Sequence, residues 1–459
     1  MSGLQTYKNI YLVGIGGIGM SALARYFKYV GKNVAGYDRV ESPLTQSLAS
    51  EGISIHYEDL GSDIAPQFKD PSNTLVVYTP AIKVLAELTY FQQHNFTIYK
   101  RAEVLGALTR TFQGLCVAGT HGKTTTSSLL AFLLTELTTG CTAFLGGIAT
   151  NFNSNLVLHP QSKFAVIEAD EFDRSFLHLA PYAAIVTATD PDHLDIYGSE
   201  QAFVEGFRQF VMRIDPKGYS IQKNGLNLPS LAKVVTYGVD DPKADYNLTN
   251  LRFVDGYQIG DVYYDSVQYT DFKFGLPGVH NAENALACIA LLNQIGYGID
   301  ELRSGVQGFK GVKRRFEYHV RSSELIYIDD YAHHPVEIKA LLFSVRKLYP
   351  ELPLIGIFQP HLYSRTQDFA PEFASALSEL DSLYLLPIYA AREEPIAGVS
   401  SEWLCELAKV DVKQVLEPID LLSKIRKIDR GVVLTIGAGD IDRLVGPIKE
   451  TLQIHIQTL

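Results

Sequence analysis

The apolar run Gly114-Leu115-Cys116-Val117-Ala118 breaks into Gly119-Thr120-His121-Gly122-Lys123-Thr124-Thr125-Thr126, after which Leu129, Leu130, Leu133, Leu134 and Leu137 recur at helical spacing. A buried strand that enters a helix through a short glycine loop belongs to an α/β sheet whose strands run mostly parallel. Such a loop is also an anion site: backbone N–H groups converge on it and the helix dipole adds positive potential. Lys123 is placed to reach terminal phosphates, and the Thr124 hydroxyl to hold a metal ion. Val117 stands where the longer phosphate-loop pattern has glycine. A plain strand-to-helix turn is the alternative, but the Gly-Lys-Thr context makes ATP the expected ligand.

The chain has 459 residues, too many for one ordinary core, and the same strand, break and helix recur along it. Ile10-Tyr11-Leu12-Val13 runs into Gly14-Ile15-Gly16-Gly17-Ile18-Gly19-Met20, then a stripe of Ile18, Leu23, Phe27 and Val30, then a strand ending at Asp38. This is the opening of a dinucleotide fold, with Asp38 at the distance of a ribose-binding acid; a ligand-free glycine turn is the alternative. A strand at 74–79 and Lys100-Arg101-Ala102-Glu103 close a first domain at 1–110. Near-continuous apolar runs at 164–168 and 183–187 read as strands buried on both faces and lie in a second domain at 111–314. Within it, residues 219–275 read as a small antiparallel insertion, and a helix carrying Ala285, Ile289 and Leu292 opens near Asn281. Strands at 325–328, 354–358 and 432–436 alternate with helices in a third domain at 315–459. The expected fold is α/β throughout. A Rossmann-like domain comes first, then a central P-loop domain with a mostly parallel sheet, then a second Rossmann-like domain.

Polar clusters sit where ligands bind in open α/β sheets, beyond the carboxyl ends of strands. Glu168, Asp170, Glu171 and Asp173 form a carboxylate group that needs cations nearby, and magnesium is one physical solution. His193, within Asp190-Pro191-Asp192-His193, is a candidate metal ligand. Asp329-Asp330-Tyr331-Ala332-His333-His334 and Gln359-Pro360-His361-Leu362-Tyr363-Ser364-Arg365-Thr366 are two further clusters. The triplet Lys313, Arg314 and Arg315 reads as a phosphate clamp or as a solvated face.

A net charge of −11 argues against a nucleic-acid surface and leaves anion binding to local loops. Four scattered cysteines fit a reducing compartment. With no basic leader and no apolar run of membrane-spanning length, the chain is expected in the cytoplasm without membrane insertion.

Taken together, these residues resemble the Mur ligase family, the ATP-dependent amide-forming enzymes of peptidoglycan precursor synthesis. Gly119 to Thr125 is similar to the family's short phosphate loop, and His280-Asn281-Ala282-Glu283-Asn284-Ala285 to its adenine-contacting segment. The likeness spans nearly the whole chain. It is greatest to members that add L-alanine, through Glu168-Ala169-Asp170-Glu171, Asp330 to Pro335 and Gln359 to Thr366.

The resemblance implies that ATP, UDP-N-acetylmuramate and L-alanine are the partners, with the chain a monomer or weak homodimer. Gly14, Gly16, Gly17, Gly19, Met20 and Asp38 would hold the UDP part. Gly119, Thr120, His121, Gly122, Lys123, Thr124, Thr125, Asn281, Asn284 and Arg315 would meet ATP. Thr124, Glu168 and His193 would hold magnesium. His334, His361 and Arg365 would surround the amino acid, and Lys123, Glu168, His193, Asp330 and His334 would serve catalysis. The implied reaction passes through an acyl phosphate, and a recycling ligase that attaches L-Ala-γ-D-Glu-diaminopimelate is the alternative. An NAD-dependent oxidoreductase would leave the Gly119 loop unexplained, and a non-catalytic sensor would be expected to lack Lys123 or a metal carboxylate. Two departures stand out: no lysine lies between His193 and Lys217, where several relatives carry a carbamylated one, and Leu362 replaces an arginine of some alanine-adding members.

Overall fold

The computed structural model describes all residues except 1–3, 5, 81, 83, 138–139, 192–193, 255–256, 392 and 459, and the side chains of 194–195 and 455–458. The chain forms two compact units, residues 1–310 and 311–459.

The first unit holds two sheets. β1 (Asn9–Val13), β2 (Asn33–Tyr37), β3 (Ser54–His56), β4 (Thr74–Tyr78) and β5 (Thr97–Lys100) make a parallel sheet in the order β3-β2-β1-β4-β5. The order reverses beside β1, so the glycine loop that follows β1 stands at the switch point, where α/β sheets take ligands.

Among the described residues the second sheet has ten strands. It contains β6 (Gln113–Ala118), β7 (Thr142–Ala149), β8 (Ser154–Val157), β9 (Phe164–Glu168), β10 (Ala183–Val186), β11 (Tyr219–Lys223), β12 (Lys233–Val239), β13 (Tyr246–Val254), β14 (Tyr257–Tyr264) and β15 (Val267–Phe274). β6 lies between β9 and β10, parallel to both. The 219–275 stretch divides in two: β11 and β12 extend the parallel sheet, and only β13 to β15 form an antiparallel meander on its edge. The sequence there alternates polar and apolar residues because that edge is half exposed, a pattern that does not report strand direction.

The helix Lys123–Glu136 buries Leu129, Leu130, Leu133 and Leu134, as its spacing predicts. Leu137 caps its end. The helix Ile18–Tyr29 joins the two sheets: Asn155 Nδ2 donates to Ile18 O at 2.6 Å and to Ser21 Oγ at 2.8 Å, and Tyr26 packs edge-on against Phe144. One buried core runs from Ile10 and Leu12 of β1 through Phe27 and Phe144 to Phe176.

The second unit contains β16 (Glu317–Arg321), β17 (Leu325–Asp330), β18 (Leu354–Phe358), β19 (Ser382–Leu385), β20 (Val412–Val415) and β21 (Gly431–Ile436), in the order β16-β17-β21-β18-β19-β20. Only β16 is antiparallel to its neighbour. Ile326 and Ile328 face one buried core and Leu325 and Tyr327 the other, the alternation of a strand covered on both sides. No helix among the described residues is long and apolar enough to cross a membrane.

Candidate active site

β6 ends at Ala118, and its loop closes on Gly122, whose φ of +80° is the left-handed conformation that glycine adopts without strain. A Cβ there would stand 2.7 Å from Asn284 Oδ1, so glycine also lets the loop lie directly against the helix Val279–Gln294. Asn284 thus sits beside the loop, and the buried Asn281 donates from Nδ2 to Pro277 O at 2.7 Å. The far side of the loop is braced by the segment after β10. Thr120 N donates to Ala188 O at 3.1 Å, the Thr120 hydroxyl donates to Asp190 O at 2.7 Å, and His121 Nε2 lies 3.9 Å from the Asp190 carboxylate.

Lys123 Nζ donates to Gly119 O and to Glu171 Oε1, both at 2.8 Å. Burial pushes the lysine pKa down, but the charges of Glu171, Asp170 and Glu168 outweigh it and hold the pKa above the ordinary lysine value. Burial likewise lifts Glu171, against the pull of Lys123. Lys123 is therefore a cation across the neutral range. Thr124 Oγ1 donates to Glu168 Oε1 at 3.2 Å, and Gly146 N donates to Glu168 Oε2 at 3.1 Å. The hydroxyl and the carboxylate expected to hold a metal are therefore neighbours, while His193 lies outside the described residues.

The carboxylates after β9 find cations within the protein. Arg101 pairs with Asp170 at 3.4 Å, Lys100 with Asp173 at 2.9 Å and Lys123 with Glu171 at 2.8 Å. Lys100 and Arg101 enter the sequence reading only as the end of the first domain. Nothing local marks their partners, because only the fold brings the end of β5 to the loop after β9.

In the first sheet, Asp38 follows β2 and its Oδ2 accepts from Gly16 N at 2.7 Å. Its other oxygen accepts from Val40 N at 3.3 Å. The carboxylate expected at a ribose thus holds the glycine loop itself. Gly14 has a φ of +85°, Gly17 is the N-cap of the helix Ile18–Tyr29, and Met20 is buried within that helix. A Cβ on Gly19 would stand 2.2 Å from Arg101 Nη1. Arg101 therefore crosses the start of that helix while it bonds Asp170, and one side chain links the first glycine loop to the carboxylates beside the second.

The second unit gathers its own set of polar groups. Asp330 ends β17 and accepts from Phe316 N at 2.7 Å and Ala332 N at 2.8 Å. Burial pushes its pKa up to about 6, against the pull of Arg315. Arg314 turns into the sheet, with Nε 3.4 Å from the buried Asp329 and Nη2 donating to Gly437 O at 2.7 Å, and both it and Arg315 lie over the Tyr331 ring. His334 caps the helix Pro335–Leu348, its Nδ1 accepting from Val336 N at 3.4 Å and its ring packing edge-on against Phe369.

His333, which the sequence reading passes over in favour of His334, is the histidine that faces His361, with ring centroids 6.1 Å apart. Its Nδ1 lies 3.0 Å from Tyr331 O, which requires the Nδ1–H tautomer and leaves the Nε2 lone pair as acceptor. Burial lowers its pKa, Glu337 opposes that shift, and the charges of Arg365 and Arg315 add to it. Arg315, His361 and Arg365 thus share a neighbourhood with His333. Between His361 and Arg365, Leu362 adopts a φ of +72°. Left-handed backbone is uncommon for a branched side chain and concentrates at functional sites.

Three α/β sheets, a short phosphate loop with a half-buried lysine, and carboxylates at the neighbouring strand end define a class of nucleotide-dependent ligases. Family models match nearly end to end: "Mur ligase family, catalytic domain" over residues 9–113, "Mur ligase middle domain" over 117–292 and "Mur ligase, glutamate ligase domain" over 314–439. The chain belongs to the Mur ligase family. It is 49% identical over 448 residues to the UDP-N-acetylmuramate–L-alanine ligase of Parabacteroides distasonis, covering 96% of this chain and 97% of that one. The enzyme of the same name from Flavobacterium psychrophilum is 47% identical over 450 residues, covering 98% and 99%. The crystal structure of the UDP-N-acetylmuramate-alanine ligase of Thermotoga maritima superposes with a TM-score of 0.82 at 29% identity, covering 98% of this chain and 99% of that one. A murein peptide ligase of Psychrobacter arcticus shares the fold, with a TM-score of 0.70 at 23% identity, covering 97% and 98%.

Proposed function

We propose that this chain joins L-alanine to the carboxylate of UDP-N-acetylmuramate at the expense of ATP, releasing ADP and phosphate, as a step of peptidoglycan precursor synthesis. The observation that carries the choice of substrates is likeness at 43–49% identity, over nearly the full length, to ligases of that name. In this reading residues 1–110 take the UDP part, 111–314 the ATP and 315–459 the amino acid. The setting is cytoplasmic, and the chain works as a monomer or weak homodimer.

A carboxylate is a poor electrophile, so its oxygen first attacks the γ-phosphorus of ATP. The bond to the β–γ bridging oxygen breaks, ADP leaves and an acyl phosphate forms. Lys123, a fixed cation at a helix N-terminus, stabilises the transferring phosphoryl group. Thr124 and Glu168 present hard oxygen donors 3.2 Å apart, a set that suits magnesium. Magnesium held there would add positive charge between the two reacting anions. Asn281, Asn284 and Arg315 are assigned to the nucleotide, and the Gly14 to Met20 loop to the UDP diphosphate.

The neutral amine of L-alanine then attacks the acyl carbon and phosphate departs. His361 and Arg365 are assigned to the amino acid, with Arg365 gripping its carboxylate. Asp330 already accepts two backbone N–H groups and His334 Nδ1 accepts one. His333 Nε2 joins them as a candidate base, and a pH–rate profile left unchanged by His333→Gln would remove it.

The deciding experiment is phosphate release from magnesium-ATP with UDP-N-acetylmuramate, comparing L-alanine with L-Ala-γ-D-Glu-diaminopimelate. Release that requires L-alanine is the expected result. Release that requires the tripeptide would replace this reading with the recycling reaction.

A further inference from the structure

A cavity of about 840 Å³ opens in the first unit between the helix Ile18–Tyr29, the helix Arg101–Thr109 and the segment 172–178. Its volume is that of a small-molecule site. Val30, Tyr99 and Leu177 supply apolar surface to it, over the buried Tyr26, Phe27 and Leu108. Lys32, Arg110 and Arg213 line it as well, against one carboxylate among the described residues, that of Glu103. That carboxylate is engaged at a helix start, where it accepts from Lys100 N at 2.7 Å. Arg213 is held in place by Nε donating to Leu179 O at 3.1 Å, which orients its guanidinium. An apolar body with excess positive charge around it calls for an organic anion.

The elements around the cavity carry the candidate site at their other ends. The helix Ile18–Tyr29 starts at the glycine loop, and its last turn lines the cavity. Arg101 opens the next helix at Asp170, whereas Ala107 to Thr111 reach the cavity. The chain then enters β6 at Gln113, and β6 delivers the phosphate loop. A ligand here would grip the joint between the two sheets, remote from both glycine loops.

We propose that this cavity is a second ligand site, for a small organic anion with an aromatic or branched apolar body, separate from the nucleotide-binding loops. A suitable probe is 8-anilinonaphthalene-1-sulfonate, which combines both features and fluoresces when its rings leave water. The titration uses the full chain with UDP-N-acetylmuramate and a non-hydrolysable ATP analogue at saturation. The expected result is saturable binding of one probe per chain that persists under those conditions. Arg110→Glu, on an exposed residue, should weaken it at least about tenfold, in line with losing a charged contact and gaining a repulsive one. Ala107→Trp should abolish it by filling the volume. Both variants should keep the melting temperature and the phosphate release of the parent. Displacement of the probe by the nucleotides, or equal affinity in Arg110→Glu, would overturn the proposal, and Arg110→Glu decides it alone if Ala107→Trp does not fold.

Discussion

The loop at 14–20 and the loop at 119–125 follow one plan: a buried strand, glycines, then a helix N-terminus. They differ in charge. The first is fastened by Asp38, which accepts from Gly16 N, and the cation across it, Arg101, arrives from the end of β5. The second carries its own cation, Lys123, half-buried against the buried Glu171 from the neighbouring strand end. Glycines set the shape of such a loop, and the side chains that neighbouring strands deliver set its electrostatics. A loop with a built-in cation suits a transferring phosphoryl group, whose charge changes during reaction; a loop of backbone donors suits a diphosphate that stays as it is.

The largest test of that contrast is Lys123→Met. It should lower L-alanine-dependent phosphate release by at least about a hundredfold, the scale of losing a preorganised charge at a reacting centre. It should also destabilise the chain by about 3 kcal/mol in denaturant melts, because Glu171 is left buried without its partner. The double variant Lys123→Met with Glu171→Gln should recover most of the stability and none of the activity. Equal losses of both would mean that Lys123 is only structural. At the first loop, Asp38→Ala should raise the KM for UDP-N-acetylmuramate about tenfold and leave kcat nearly unchanged, since it loosens a binding loop through one charge-assisted hydrogen bond. A fall in kcat alone would break the comparison.

A smaller effect separates the glycines themselves. Gly122→Ala meets both a φ of +80° and Asn284 Oδ1 at 2.7 Å, and should cost about 1–2 kcal/mol. Gly17→Ala, with a φ of −63° and nothing nearer than 3.5 Å, should cost less than about 1 kcal/mol in the same melts. The smallest effect is a pH shift. The pKa of Lys123 is raised above its unfolded value, so the stabilisation from its ion pair is fully present below the ordinary lysine range and is lost as pH rises through the folded value. Glu171→Gln removes the main raising charge and leaves burial, which should move the alkaline limit of ATP binding to lower pH. An unmoved limit in an ATP-binding titration would show that Glu171 does not hold the lysine charge.

The pattern of apolar runs and glycines made β1, β6, β9, β10 and the helix after Gly122 legible, because strands covered on both faces leave little room for polar residues. The proximity of Lys123 and Thr124 to Glu168 was legible as well, since a motif and a strand end place them. The pairing of Lys100 and Arg101 with Asp173 and Asp170 was not legible: it joins residues about seventy positions apart through a packing of two sheets that no local signal records. The direction of β11 and β12 was hidden because residue alternation reports exposure, not orientation. His333 and His334 are adjacent and chemically identical, so only backbone geometry separates the ring that faces His361 from the one that packs on Phe369. Arg314 and Arg315 share the Tyr331 ring, and only the fold shows that Arg314 also reaches Asp329.

The central position of β6 also sets an order of events during synthesis. Val117 has its partner in Glu168 and Cys116 has one in Ala184, so the strand that carries the phosphate loop emerges from the ribosome well before either neighbour exists. Asn284, against which Gly122 rests, emerges later still. Contacts so distant along the chain close slowly, and the loop acquires its shape only when the middle of the polypeptide is complete. A nascent chain that stops short of the helix Val279–Gln294 therefore lacks the surface against which Gly122 rests.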